Sequence, residues 1–400
     1  MVRGFALFGV LLVNMYNFGA SWPIWTGEVD RLAFAAKRFL FETKSWRLFS
    51  FLFGLGFSFQ LLTARRQQLP FFARYLRRII GLFCIGAVHT LLYDGDILKL
   101  YAELGLVLIL FVRVPPRVML TVALVLLSIF PVGGLVQGLW GQPEPDVTPE
   151  VIDIDEWLER REQTQHPYAV GSIWDVMAFN ASAIWQAPLD NPISPESNIS
   201  FFAMFLLGLY AGVRRIFQDI EHHLRLVRSV CAWGLGVGLV GMVIERVVSA
   251  GWDYDVFGPH GRDPLLEFVG DSAFVYGSTA LSLGYAATIV LMARSPRWRS
   301  MVTPFAPVGK MALTVYLTQS LIFTTIFYGY GLGLGLWTGP VAVTSLAVAI
   351  FAGQIVLCRW WLRRHRFGPA EWAWRTATYL QLPRMKFVQE SPVPRDGNAG

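Results

Sequence analysis

The stretch GAVHTLLYDGDILKLYAELGLVLIL at residues 86–110 sets His89, Asp94, Asp96, Lys99 and Glu103 among residues that are otherwise apolar. Ionisable groups at membrane depth cost at least a few kcal/mol each unless paired or hydrated, so a cluster of them marks a candidate functional site. Asp96, Lys99 and Glu103 stand at i, i+3 and i+7, which puts them on one face of a helix with Tyr101 off it. Asp94-Gly95-Asp96 has the composition of a tight turn, the glycine supplying backbone freedom and the aspartates local hydrogen bonds. Histidine is the side chain whose charge ordinarily changes nearest neutral pH, and a neutral imidazole held by a carboxylate can take a proton from a hydroxyl or amine. His89 is therefore a candidate base, with Asp96 or Glu103 orienting or charging it and Asp94 and Lys99 available to substrate. The same residues also suit a structural ion-pair stripe and an interhelical hydrogen bond, because intramembrane polar groups glue helices together.

Two other groups carry chemistry. Asn14 and Asn17, one turn apart in the run that follows Arg3 and Gly4, can donate hydrogen bonds to a substrate or a developing oxyanion. Interhelical packing would employ either one alone. In VGKMALTVYLTQS at 308–320, Lys310 stands at the basic end and Tyr316 and Gln319 follow one turn apart as substrate-binding candidates. Lys310 and Arg78 suit the phosphates of a bound cofactor, although a lysine at a helix end also snorkels to the interface. No metal is expected: His222 and His223 follow Glu221 without a further ligand at metal spacing. Cys84, Cys231 and Cys358 are far apart in apolar runs, which predicts separate buried thiols rather than disulfides or a zinc site. The glycines of FLFGLGFSF and YGYGLGLGLWTG do not join a strand to a helix, so neither run is a nucleotide fingerprint.

The elements that must position these residues follow from composition. Of 400 residues, 54% are hydrophobic and 16% charged, which excludes an ordinary soluble globule and predicts a polytopic membrane protein. The net charge of +6 does not predict a nucleic-acid partner, since the arginines lie in short clusters between apolar runs. The expected fold is all-α, a transmembrane helical bundle of about ten spans near 3–20, 46–64, 78–93, 97–113, 117–139, 199–217, 226–249, 270–293, 308–328 and 335–358. Arg65, Arg66, Arg74, Arg77 and Arg78 crowd the second connection, Arg113 and Arg117 the fourth, Arg214, Arg215, Arg225 and Arg228 the sixth, and Arg294, Arg297 and Arg299 the eighth. Every second connection is thus basic, which places these connections and both termini in the cytoplasm. The acidic connections 142–162 and 252–267 belong outside. Residues 28–47 break the pattern with five cations between apolar residues, as a helix lying along the interface would. A span beginning at Arg78 on the inside carries His89 about 16 Å along its axis, near mid-bilayer. The chain divides into transmembrane helices over 1–139, an external acidic segment over 140–198 with short helices near 150–163 and 172–186, further transmembrane helices and a basic end motif over 199–382, and a disordered tail over 383–400. No cleavable signal is evident.

Five stretches together carry a family resemblance: RGFALFGVLLVNMYNF at 3–18, SFLFGLGFSFQL at 50–61, RRIIGLFCIGAVHTLLYDGDILKLYAELGL at 77–106, VGKMALTVYLTQSLI at 308–322 and RFGPAEWAWRTATY at 366–379. The chain resembles the YeiB-like family of bacterial membrane proteins, the domain of unknown function 418, which implies a place in the bacterial cytoplasmic (inner) membrane among its lipids. That family is in turn similar to transmembrane acyltransferases, including heparan-alpha-glucosaminide N-acetyltransferase, which use cytosolic acyl-CoA to modify a hydroxyl or amine on the opposite side. The resemblance implies acyl-CoA as co-substrate, with its phosphates at the arginine-rich inner face and a small-molecule or glycan acceptor outside. The histidine of the heparan enzyme lies in a loop after an early span, and residues 19–47 hold none, so His89 rests on the residue argument alone. Family members usually carry an aspartate three residues before the arginine of the RG pair, whereas Arg3 is preceded by only two residues, as a misassigned start or a shortened first span would leave it. The rival expectation is a transporter or exporter of a small solute or lipid precursor, with Asp96, Lys99 and Glu103 as a proton or ion relay. A scaffold or sensor using the acidic external segment is a third.

Overall fold

The computed structural model describes residues 1–19, 27–140, 167–184, 195–249, 264–335 and 338–386. Helices α1 (Val2–Gly19), α2 (Glu28–Leu40), α3 (Lys44–Arg66), α4 (Phe71–Leu92), α5 (Ile97–Leu108) and α6 (Pro116–Trp140) form the first part. They are followed by α7 (Ile173–Asn180), α8 (Pro195–Val213), α9 (Leu224–Ser249) and α10 (Pro264–Arg294). The last part is α11 (Arg299–Val302), α12 (Phe305–Lys310), α13 (Ala312–Phe327), α14 (Pro340–Leu362) and α15 (Pro369–Tyr379). Among the described residues no strand forms, and one isolated bridge joins His365 to Lys386. The helix expected near 150–163 and the tail from 387 lie outside the described residues.

Among the described residues six helical segments are long and apolar enough to cross a membrane, and Val2–Asn17, Asn198–Val213 and Ala312–Phe327 are shorter apolar helices. Backbone groups in lipid must be paired within the segment, which is why the described residues of so apolar a chain are mostly helical. Two expected spans are cut short. In 97–113 the α-helix ends after 12 residues and tightens into a 3₁₀ turn at Ile109–Phe111. Near 308–328 the helix breaks at Met311 (φ −109°, ψ 36°), so Lys310 ends α12 rather than opening the long helix. Conversely, α4 starts at Phe71, which takes Arg74, Arg77 and Arg78 out of the expected connection and onto the helix. Residues 28–47 form the separate helix α2 and then turn at Thr43 (φ 61°) into α3.

The buried core is shared by α1, α3, α4, α5, α6, α8, α13 and α14, with single residues from α7, α10 and α12. Helices α9 and α10 pack as a hairpin whose backbones meet where Gly241 faces Gly277. Their outer faces, such as Trp233, Val240 and Val247, stay exposed, as do Val125 and Val136 of α6. In a chain of this composition such faces suit lipid rather than water. Antiparallel α3 and α4 bring Arg65, Arg74 and Arg78 to one end of the bundle, hereafter the basic end, and the turn between α4 and α5 lies at the other.

Candidate functional site

Helices α4 and α5 meet at Gly86. A Cβ there would stand 2.5 Å from the Lys99 backbone nitrogen and 2.8 Å from Asp96 Oδ2, so glycine alone lets α5 begin against α4. One turn further along α4, His89 Nδ1 lies 2.7 Å from Asp96 Oδ1. Asp96 Oδ2 accepts the Lys99 N–H at 2.8 Å and so caps α5. The Tyr316 hydroxyl accepts the Ile97 N–H at 3.2 Å, satisfying a second free donor of the same helix end. The expected stripe on one face of α5 is therefore divided. Asp96 precedes the helix and faces His89, while Lys99 Nζ pairs with Glu103 Oε1 at 3.1 Å.

His89, Asp96 and Lys99 are at most 5% exposed. With Nδ1 engaged by Asp96, the other ring nitrogen of His89, Nε2, is buried without a hydrogen-bond partner among the described residues. The Tyr316 ring lies 5.2 Å from the imidazole and the Tyr93 ring 5.9 Å, centroid to centroid. This is a carboxylate-oriented imidazole whose far nitrogen is available to a proton.

Tyr316 also lines an internal chamber of about 120 Å³ that extends from Leu98, Tyr101 and Tyr316 to Arg3, Arg78 and Lys310. Its middle is apolar and aromatic, with Phe49, Phe53 and Leu82 among the walls. His89 is not itself on the wall; Tyr316 stands between. The three cations converge from α1, α4 and α12. Gly4 of α1 packs directly on the Phe305 carbonyl, which brings Arg3 beside Lys310. None of the three meets a carboxylate at ion-pair distance among the described residues.

The C-terminal stretch GPAEWAW completes the chamber. Glu371 Oε1 accepts the N–H groups of Leu313 (2.6 Å) and Thr314 (3.1 Å), and Oε2 accepts the Thr314 hydroxyl at 2.6 Å. The carboxylate thus caps α13 from another helix, at the break next to Lys310. Trp374 donates its indole N–H to the Arg78 carbonyl at 2.9 Å, and its ring centroid lies 3.8 Å from the Arg78 guanidinium.

The remaining candidates lie elsewhere. Asn14 is buried in α1, and Asn17 is exposed and hydrogen-bonded to Tyr93; neither lines the chamber. Gln319 donates to Gln354 at 2.9 Å, and Gln354 donates to the Val315 carbonyl and the Thr318 hydroxyl, a polar clasp between α13 and α14. Asp94 sits in the turn after α4, where burial raises its carboxyl above the ordinary range despite a hydrogen bond from Tyr168. Among the described residues no group of three or more His, Cys, Asp or Glu could hold a metal ion.

Sequence spacing missed Tyr101, Glu371 and Trp374, and gave Arg3 no role. The signal was present for all four, since Arg3 opens the first family-like stretch, Tyr101 lies in the third, and Glu371 and Trp374 lie in the last. What was missing was any sign that these ends of the chain meet.

A family model described as "Protein of unknown function (DUF418)" matches residues 211–381, which include Lys310, Tyr316, Glu371 and Trp374. The uncharacterized protein YxaH of Bacillus subtilis (strain 168) is 31% identical, over 95% of this chain and 93% of its own. The uncharacterized protein YeiB of Escherichia coli (strain K12) is 27% identical, over 94% of each chain. An uncharacterized 39.9 kDa protein of Bacillus acidopullulyticus is 25% identical over 94% of this chain and 92% of its own. No solved structure matches. These full-length likenesses take in the His89 region as well as the matched C-terminal part, and on them the chain belongs to the YeiB-like DUF418 family of helical membrane proteins.

Proposed function

We propose that the protein is a membrane-embedded acyltransferase that moves an acyl group from acyl-CoA, entering at the basic end from the cytoplasm, to a hydroxyl or amine acceptor. The observation that carries this reading is the His89–Asp96 pair, with a partnerless Nε2, one tyrosine layer beyond a chamber whose opposite end gathers Arg3, Arg78 and Lys310. Three cations, with the nearby Glu371 carboxylate committed to the cap of α13, suit a phosphate of the donor, and the aromatic middle suits the uncharged part of the arm. The donor supplies an activated thioester carbonyl. His89 Nε2 takes the proton of the acceptor as its oxygen or nitrogen bonds to that carbon, Asp96 stabilises the resulting imidazolium, and the C–S bond breaks. His89 then returns the proton to the departing sulfur, which leaves the enzyme unchanged. Tyr316 must turn aside for the carbonyl to reach Nε2.

The rival transporter reading draws less support, because Asp96 commits Oδ1 to His89 and Oδ2 to the cap of α5, while Glu103 pairs with Lys99. Purified protein given radiolabelled acetyl-CoA should bind it and transfer label to an acceptor. Absence of binding, combined with solute uptake driven by a pH gradient in proteoliposomes, would overturn the acyltransferase reading.

A further inference from the structure

A second cavity, of about 310 Å³, opens beside the chamber at the basic end, among the end of α3, the start of α4 and the end of α15. The two share Gln60 and Tyr75 as a common wall. Tyr75 is buried and closes the inner side, whereas Thr63, Gln67 and Tyr379 are exposed and form the rim. The outer cavity is therefore a vestibule to the chamber.

Its lining differs in kind from that of the chamber. Flat rings are supplied by Phe71 and Tyr379, hydroxyl and amide groups by Thr63, Gln60 and Gln67, and a positive charge by Arg74; no carboxylate lines it. A heteroaromatic ring stacks on such rings and hydrogen-bonds such edges, and a phosphate pairs with the guanidinium. Gln60 Nε2 donates to the Gly56 carbonyl at 3.2 Å, which leaves Thr63, Gln67 and Arg74 as the polar groups offered to a ligand. We infer that the vestibule is the subsite for the adenosine-phosphate head of the acyl donor, and that Gln60 and Tyr75 mark the step where the phosphopantetheine arm enters the chamber, its own phosphate towards Arg3, Arg78 and Lys310. The inference rests on the acyl-CoA reading and extends it to donor specificity: thioesters without a nucleotide head are bound poorly.

Equilibrium binding of acetyl-CoA and of acetyl-phosphopantetheine to the full-length protein in detergent tests this, since the second ligand keeps the arm and lacks the nucleotide. The wild-type protein should bind acetyl-CoA at least about tenfold more tightly. Thr63→Trp, which fills the exposed rim, and Arg74→Gln, which removes the charge, should each bring the ratio of the two affinities towards one. Binding of both donors with equal affinity by the wild-type protein, or a wild-type ratio retained by Arg74→Gln and by folded Thr63→Trp, overturns the vestibule and leaves the acyl-donor reading standing. Failure of both donors to bind the wild-type protein overturns both.

Discussion

Asp96 carries two duties on one carboxylate: Oδ2 caps α5 through the Lys99 N–H and Oδ1 holds His89 Nδ1. Asparagine can perform the first and not the second. Its single carbonyl oxygen still caps the helix, so the amide NH₂ is turned towards Nδ1, which must then accept and leaves the proton on Nε2. Asp96→Asn should therefore keep its thermal unfolding temperature while acyl transfer falls by about 10²–10⁴-fold, the usual range for a lost general base. Equal loss of stability and transfer would make the pair structural. His89→Ala should give a similar fall in transfer with donor binding retained, as measured by radiolabelled acetyl-CoA. Histidine, aspartate and their apolar setting were legible at 86–110, because ionisable residues stand out in an apolar run. The partner of His89 was narrower than the sequence allowed, since Glu103 was an equal candidate until Lys99 was found to engage it.

At the scale of elements, two junctions hold the site. At the first, Gly86→Ala would drive a methyl into the Lys99 backbone and the Asp96 carboxylate, and overpacking of this kind costs about 1–3 kcal/mol. Unfolding in detergent should show that loss, and transfer should fall with it because α5 is pushed off α4. At the second, Glu371 caps α13 from α15 across the break at Met311. Glu371→Ala leaves two N–H groups without an acceptor and should lower stability by about 0.5–2 kcal/mol, whereas Glu371→Gln keeps an acceptor and should lose less. Hydropathy showed that 308–328 is apolar but gave no sign of its interruption. The break depends on a carboxylate some sixty residues later in the chain, which no local pattern registers.

Across the whole molecule, the cations of the chamber come from residues 3, 78 and 310, on helices that are remote in sequence. Charge convergence of this kind attracts phosphate and weakens with salt. Arg78→Gln and Lys310→Gln should each reduce acetyl-CoA affinity by about tenfold, roughly one phosphate contact, and flatten its dependence on ionic strength. Titrations at low and high salt would check both effects, and an unaltered salt dependence would remove these residues from donor binding.

The sequence by itself determined that this chain is a helical membrane protein of the YeiB-like family, and that residues 86–110 set His89, Asp94, Asp96, Lys99 and Glu103 in an otherwise apolar run. Hydropathy, charge runs and motifs are properties of neighbouring residues, so they survive without knowledge of the fold. Only the tertiary structure decided that Arg3, Arg78 and Lys310 share one chamber, that Glu371 and Trp374 build its wall, and that Tyr316 stands between it and His89. Those relations arise from how helices cross and approach, through contacts such as Gly4 on Phe305 and Gly86 on Lys99, and packing across such distances leaves no periodic trace along the chain.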